Sequence, residues 1–310
     1  MLLANNVMFV AAAGAVLLGT LYPLFLDALD LGKISVGPPY FNLVFPLVMA
    51  PALFLMGVGP LARWKQAEVP DLARRLRWAA GTSVVAAALL PFALGHGSLL
   101  VSLGLLAALW ILASGAVNLW DRIRPAPGAS AWSRLRAQPR GYLGMLVAHA
   151  GVAVFIVGVT LVKGYETEKD VQIDVGETVS VGPYSFEFKG VKEVPGPNYL
   201  AARGTIEVSR DGRVVRTMQP EKRNFLASSM PMTNAAIDRG ITRDLYLSLG
   251  EPVGASAWIV RVYYKPFIDW IWGGCLVMAC GGLLALSDRR YRLARAAVAA
   301  DATVPAATVA

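Results

Sequence analysis

Five stretches of the chain carry no Asp, Glu, Lys or Arg: residues 1–26, 34–62, 78–120, 141–162 and 270–287. Each is long enough for a helix that crosses the hydrocarbon layer of a bilayer, which takes about 17–25 apolar residues. The run 78–120 exceeds what one span can use, and Gly95-His96-Gly97-Ser98 near its middle supplies turn chemistry, so it reads as a helical hairpin. The pattern therefore predicts six spans, at about 3–26, 40–62, 78–95, 99–119, 141–162 and 267–287.

The remaining long stretch, 163–266, changes period. Val171, Ile173 and Val175, then Tyr184, Phe186 and Phe188, then Ile206 and Val208, then Ile259, Arg261 and Tyr263 alternate as half-buried strands do. Asp211-Gly212 between Thr205–Arg210 and Arg213–Met218 is a two-residue hairpin signal. The expectation is a small antiparallel barrel or sandwich with one helical insertion around Met232–Leu249. The chain thus divides into a five-helix bundle (1–162), a β-rich domain (163–266), a sixth span (267–287) and a basic tail (288–310). This is a polytopic α-helical membrane protein with an antiparallel β-rich extracytoplasmic domain between helices 5 and 6.

Composition agrees and narrows the reading. Of the 310 residues, 55% are hydrophobic and 16% charged, below the quarter or so charged in a soluble domain, so two water-soluble domains are excluded. The net charge of +8 does not read as a nucleic-acid footprint, because the arginines cluster beside apolar runs as topology signals. Arg63, Lys65, Arg74, Arg75 and Arg77 fill the loop 63–77; Arg122, Arg124, Arg134, Arg136 and Arg140 fill 120–140; Arg289, Arg290, Arg292 and Arg295 follow the last span. The alternate connections, 27–39 and 95–98, hold only Lys33. Both termini are then cytoplasmic, and the β domain faces the periplasm of a Gram-negative cell, with the spans in its inner membrane. Leu2, Leu3 and Ala4 leave no basic flank before the first apolar run, so that run reads as a retained span rather than a secretory signal.

His149 is the most informative side chain, an ionisable group inside the fifth span. It is either a neutral imidazole hydrogen-bonded to a neighbouring helix or an axial ligand to a haem iron. At 100° per residue Gly144, Gly151 and Gly158 recur on one side of that helix, and His149 points roughly 160° away from them. A close helix contact on one face and a cofactor cavity on the other is the functional reading. No other span holds a histidine, so a second axial ligand must come from another chain.

Other residues read more plainly. His96 is a solvated turn residue, and Cys275 and Cys280 have neither redox nor metal spacing and read as small core-facing residues beside Gly273, Gly274, Gly281 and Gly282. Asn5 and Asn6 read as amides that cross-link helices, with cofactor contact as the other reading. Trp258, Tyr263, Tyr264, Trp270 and Trp272 read as an interfacial aromatic belt. Arg140 is close enough to be considered for haem propionates, though a topology-setting role explains it as well. There is no nucleophile elbow, phosphate loop or paired intramembrane carboxylate.

Several runs resemble the C-terminal half of the CcmF/NrfE-type cytochrome c haem lyases. Leu2-Leu3-Ala4-Asn5-Asn6, Gly19-Thr20-Leu21-Tyr22-Pro23-Leu24 and Gly57-Val58-Gly59-Pro60-Leu61 resemble its first two spans. Gly196-Pro197-Asn198-Tyr199, Pro220-Glu221-Lys222-Arg223, Met230-Pro231-Met232-Thr233 and the run from Ala236 to Tyr246 resemble its extracytoplasmic domain. Tyr263-Tyr264-Lys265-Pro266-Phe267 and Trp270-Ile271-Trp272-Gly273-Gly274 resemble its last span. The resemblance implies that His149 is the transmembrane histidine ligating haem b, and that the chain belongs to the step attaching haem to the CxxCH motif of an apocytochrome c. It implies as partners the haem chaperone CcmE, CcmH/CcmI-type proteins that present the apocytochrome, and possible access to quinol. The family's tryptophan-rich segment, the two extracytoplasmic histidines flanking it and its second transmembrane histidine have no counterpart here. The expectation is a C-terminal half that works with an N-terminal CcmF half or another haem lyase subunit.

Two other functions fit the residues alone: a quinol-oxidising membrane cytochrome b, and a non-enzymatic scaffold for cytochrome c assembly. The six-span topology itself has a direct test. A compartment reporter fused after Ser287 should read cytoplasmic and one inserted at Asp211-Gly212 extracytoplasmic; the same compartment at both sites contradicts six spans.

Overall fold

A computed structural model describes residues 2–61, 69–124, 130–227, 230–254 and 256–288. Arg63, Lys65, Arg289, Arg290, Arg292 and Arg295, and with them nearly all of the expected basic tail, lie outside the described residues. Two compact units result, one made of the residues up to Ile156 and from Gly273 onward, the other of Val157–Trp272.

The helices are α1 (Leu2–Ala28), α2 (Pro38–Val58), α3 (Val69–Leu94), α4 (Leu99–Ile123), the short α5 (Ala131–Arg136), α6 (Arg140–Tyr165) and α7 (Ile268–Leu286). All but α5 are long and apolar enough to cross a membrane, as the charge-free runs require. Helix α3 starts nine residues before the expected position, so Arg74, Arg75 and Arg77 lie on a helix rather than in a loop. Polar contacts extend it: Arg75 pairs with Asp71 one turn earlier at 3.0 Å and reaches Asp121 of α4 at 3.8 Å.

In the first unit the helices are joined by small residues and single hydrogen bonds. The Tyr40 hydroxyl of α2 donates to the Ala15 carbonyl of α1 at 2.9 Å, and Gly19 leaves room for the Tyr40 and Phe41 rings. The Trp110 indole N–H of α4 donates to the Phe54 carbonyl of α2 at 3.0 Å, with the two rings stacked at 5.4 Å. The Tyr142 hydroxyl of α6 donates to Asn118 Oδ1 of α4 at 2.5 Å, and the Arg122 guanidinium lies 4.1 Å over the Tyr142 ring.

Helices α6 and α7 approach backbone to backbone. A Cβ added at Gly274 would lie 2.5 Å from the Phe155 nitrogen, and one at Gly281 would lie 2.4 Å from the Ala148 nitrogen. From the other side, a Cβ at Gly144 would meet the Gly281 carbonyl at 2.5 Å and one at Gly151 the Met278 nitrogen at 2.5 Å. Glycines seven apart on each helix return to one face every two turns, so the contact recurs along the pair. Within the second unit Gly158 continues it, 2.7 Å from the Ile271 nitrogen by the same measure. At the start of α6 the Gly141 N–H donates to Asp288 Oδ2 at 2.8 Å, which ties down one of the amides that a helix N-terminus leaves open.

The second unit is a β-sandwich. Its strands are β1 (Thr167–Ile173), β2 (Thr178–Val181), β3 (Tyr184–Pro195), β4 (Tyr199–Arg210), β5 (Arg213–Met218), β6 (Glu221–Phe225), β7 (Pro231–Asn234), β8 (Ala236–Asp238), β9 (Arg243–Val253) and β10 (Ala257–Pro266). One antiparallel sheet runs β1-β10-β9-β8, the other β2-β3-β4-β6-β7 with β5 on the far half of β4. Phe186, Phe188, Ile206 and Val208 of one sheet meet Leu245, Leu247, Leu249, Val260 and Val262 of the other, all buried. Asp211 and Gly212 turn the β4–β5 hairpin with φ of 51° and 75°, the left-handed pair a two-residue hairpin needs.

Two expectations are corrected here. The helical insertion around Met232–Leu249 is not formed; those residues lie in β7, β8 and β9 and the turns joining them. Local ion pairing decides it: Arg243 bonds the Asp238 carbonyl at 3.0 Å and its carboxylate at 2.6 Å, closing a hairpin. The Arg243 guanidinium also donates to the Tyr184 hydroxyl at 2.9 Å. In β10 the core side is Val260 and Val262, with Trp258 and Tyr264 packed against the core on the same face, whereas Ile259, Arg261 and Tyr263 alternate onto the other face. Arg261 instead holds Asp170 across the sheet at 2.5–2.6 Å.

A buried charge also anchors the second sheet. Glu221 takes Arg203 at 2.6 Å and Arg223 at 2.7 Å. Burial works against its charge, and the two arginines outweigh that and hold its pKa below the ordinary glutamate range.

The glycine contact generates a paired prediction. Gly274→Ala should cost about 1–3 kcal/mol by overpacking against backbone, while Gly273→Ala, where nothing lies within 4 Å, should stay within about 0.5 kcal/mol. Denaturant unfolding in detergent micelles measures both; equal losses would contradict the contact.

Candidate functional site

Helix α6 positions the one histidine that any described span holds in its interior. Its sequence is apolar on all sides, so burial alone does not choose which face meets a neighbour; the glycines do. Because Gly144, Gly151 and Gly158 lie against α7, His149 is turned away from α7 by roughly 140–180° about the helix axis. The imidazole is half-buried, and it makes no hydrogen bond or ion pair among the described residues. A polar ring in an apolar span without a partner is what the interhelical hydrogen-bonding alternative does not account for within this chain.

Chemically, a neutral imidazole offers one nitrogen lone pair to a metal and one N–H to an acceptor. His149 can therefore supply one axial ligand to an iron porphyrin, and no more than one. Among the described residues no group of three or more His, Cys, Asp and Glu side chains could hold a metal ion.

The other singled-out residues are not gathered around it. His96 is exposed in the turn between α3 and α4. Arg140 is the first residue of α6, exposed, and roughly nine residues or ~13 Å of helix from His149. Asn5 is half-buried and Asn6 exposed on α1, and neither amide bonds another helix among the described residues, so the cross-linking expected of them is not made. Cys275 is half-buried and Cys280 exposed; of the glycines in α7, Gly274 and Gly281 face α6, while Gly273 and Gly282 meet open space.

The aromatic group also separates. Strand alternation sends Tyr264 toward Tyr184, with ring centroids 6.1 Å apart, and Tyr263 to the opposite face against Tyr246 at 5.2 Å. Trp258 packs at the margin of the sandwich core, so only Trp270 and Trp272 remain at the start of α7. Sequence reasoning missed the Asp238–Arg243–Tyr184 cluster and the Glu221 pair of arginines. Their signal was present in the run from Ala236 to Tyr246 and in Pro220-Glu221-Lys222-Arg223, which are dense in charge where a buried sheet would be apolar.

Comparison with known proteins agrees with this architecture. The family described as CcmF C-terminal beta-sandwich matches residues 164–266. The chain is 44% identical over 293 residues to the cytochrome c-type biogenesis protein CcmF of Pseudomonas aeruginosa, covering 94% of this chain and 44% of that protein. It is equally 44% identical to CcmF of Escherichia coli K12, with the same coverage, and 28% identical over 297 residues to NrfE of Haemophilus influenzae. A solved structure of the cytochrome c haem lyase CcmF shares the fold, with a TM-score of 0.71 at 24% identity, over 91% of this chain and 44% of that one. The chain thus spans under half the length of the curated relatives it matches. Over nearly its whole length it is homologous to the C-terminal part of the CcmF/NrfE cytochrome c-type biogenesis proteins.

Proposed function

We propose that this chain is the C-terminal part of a membrane haem lyase of cytochrome c maturation, and that His149 is one axial ligand of a haem b held between it and an N-terminal CcmF half. The observation that carries this reading is the state of His149: an imidazole inside a span, turned away from the α6–α7 contact, with no partner among the described residues. Homology to cytochrome c biogenesis proteins across 94% of the chain supports the process to which the ligand belongs.

In this reading α6 is the working helix. The glycine face holds it against α7, and His149 is the residue of this chain that would hold the haem iron, with a further ligand from a second protein. A haem b bound there would supply a one-electron couple, fed by a donor such as quinol, for keeping incoming haem iron reduced. The protein's own residues orient the ring and exclude water from the ligating nitrogen. The sandwich, on the periplasmic side with both termini cytoplasmic, offers sheet edges and exposed hairpins to the haem chaperone CcmE, to CcmH/CcmI-type proteins and to the apocytochrome c. Thioether bonds form between the cysteine thiols of its CxxCH motif and haem vinyl groups, so the lyase contributes orientation more than reactive side chains.

Substitution of the ligand tests the proposal. His149→Ala, co-expressed with the N-terminal half, should lose haem b and cytochrome c maturation while the protein still accumulates in the membrane. Alanine fits a helix flanked by Ala148 and Ala150, and a stability change within about 1 kcal/mol is expected. Haem b retained at the wild-type level, read from the reduced-minus-oxidised spectrum, would rule out the ligand role and leave an assembly scaffold.

A further inference from the structure

A cavity of about 400 Å³ opens in the second unit, away from the face on which the core packs. Its walls carry two cations, Arg239 and Lys265, and two carboxylates, Asp244 and Asp269. Ile237, Ile268 and Trp272 supply the apolar part. Ile268, Asp269 and Trp272 belong to the first turns of α7, and the charge-free run that begins at Trp270 follows Asp269 directly. The cavity therefore sits where this span begins, at the level at which lipid headgroups meet a transmembrane helix. Trp270 marks the same level, its indole N–H donating to the Ile241 carbonyl at 3.0 Å beside an Ile241 side chain that is 78% exposed.

The charges in the cavity are incompletely matched. Asp269 makes no hydrogen bond or ion pair among the described residues, and Arg239 has only a long-range interaction with Asp244. Lys265 reaches Glu166 no closer than 3.8 Å. Asp244 accepts the Gly240 N–H at 3.1 Å, and burial first, with the charge of Asp269 adding to it, raises its pKa above the ordinary range. A ligand with a cationic donor would relieve the pair of carboxylates, and one with an anionic acceptor would satisfy the guanidinium.

We infer that this cavity binds the headgroup of a zwitterionic phospholipid of the phosphatidylethanolamine type. Its phosphodiester takes Arg239 and Lys265, its primary ammonium takes Asp244 and Asp269, and its acyl chains run along Ile237, Ile268 and Trp272 into the bilayer. A choline headgroup has no N–H to donate to the carboxylates, and phosphatidylglycerol places no cation beside them, so the balance of charges selects the ethanolamine form. This inference stands on the cavity and the start of α7 and does not depend on His149 or on haem.

The test is lipid retention by the full chain. The protein is placed in nanodiscs made of equal phosphatidylethanolamine, phosphatidylcholine and phosphatidylglycerol, released into detergent, and the retained lipids are counted by native mass spectrometry. Phosphatidylethanolamine should exceed each of the others by about tenfold, the ratio that one hydrogen bond to a charged group gives at the low end of its range. Asp269→Asn and Arg239→Gln, two side chains with no short-range partner among the described residues, should each bring that ratio to the bulk value while the far-ultraviolet spectrum is unchanged. Retention in the bulk ratio by the wild-type chain, preference for phosphatidylglycerol, or a preference untouched by both substitutions would overturn the inference.

Discussion

The close approach of α6 and α7 is the constraint on which the rest of the membrane part depends. Two helices can bring their backbones this near only where both lack side chains, and Gly144, Gly151, Gly274 and Gly281 provide that within the first unit. The contact fixes the rotation of α6 about its own axis. Helix α6 is too uniformly apolar for hydrophobicity to set that rotation, so without the glycines the direction of His149 would be undetermined. Asp288, which accepts the Gly141 N–H at the start of α6, fixes the pair along its length as well.

In the β-sandwich, specificity comes from a different source. The apolar core of Phe186, Phe188, Leu245, Leu247 and Val262 explains why two sheets close on one another, but not why the chain turns where it does. Charged clusters do that: Arg243 with Asp238 and Tyr184, and Glu221 with Arg203 and Arg223. Breaking either leaves a buried charge unpaired, which costs more than an exposed ion pair contributes. These clusters occupy the same runs that resemble the family, so part of what makes those runs recognisable is the architecture of two hairpins rather than contact with a substrate.

Much of the fold was legible because charge-free length and strand alternation are one-dimensional signals. The six spans, the β domain between the fifth and sixth, and the Asp211-Gly212 hairpin all follow from such patterns. What was not legible depends on partners distant in sequence. Residues 232–249 look too polar for a sheet until Arg243 is seen to meet Tyr184, 59 positions earlier. Alternation along β10 is regular, but which of its two faces meets the core is set by the facing sheet, which takes Val260 and Val262 rather than Ile259 and Arg261. The site divides in the same way: the glycine stripe and the direction of His149 could be read from angles, whereas the lack of a hydrogen-bond partner for the ring required the neighbouring helices.

The central claim, that His149 of this chain ligates iron, can be measured without altering the residue. The chain contains two histidines, so growing it with ¹⁵N-labelled histidine and assembling it with an unlabelled N-terminal half puts label at His96 and His149 alone. Electron–nuclear double resonance on the ferric haem b of that complex should show a strongly coupled ¹⁵N from one axial imidazole, unchanged when His96 is replaced by Gln. A spectrum with only ¹⁴N couplings would place both axial ligands on other chains and contradict the account.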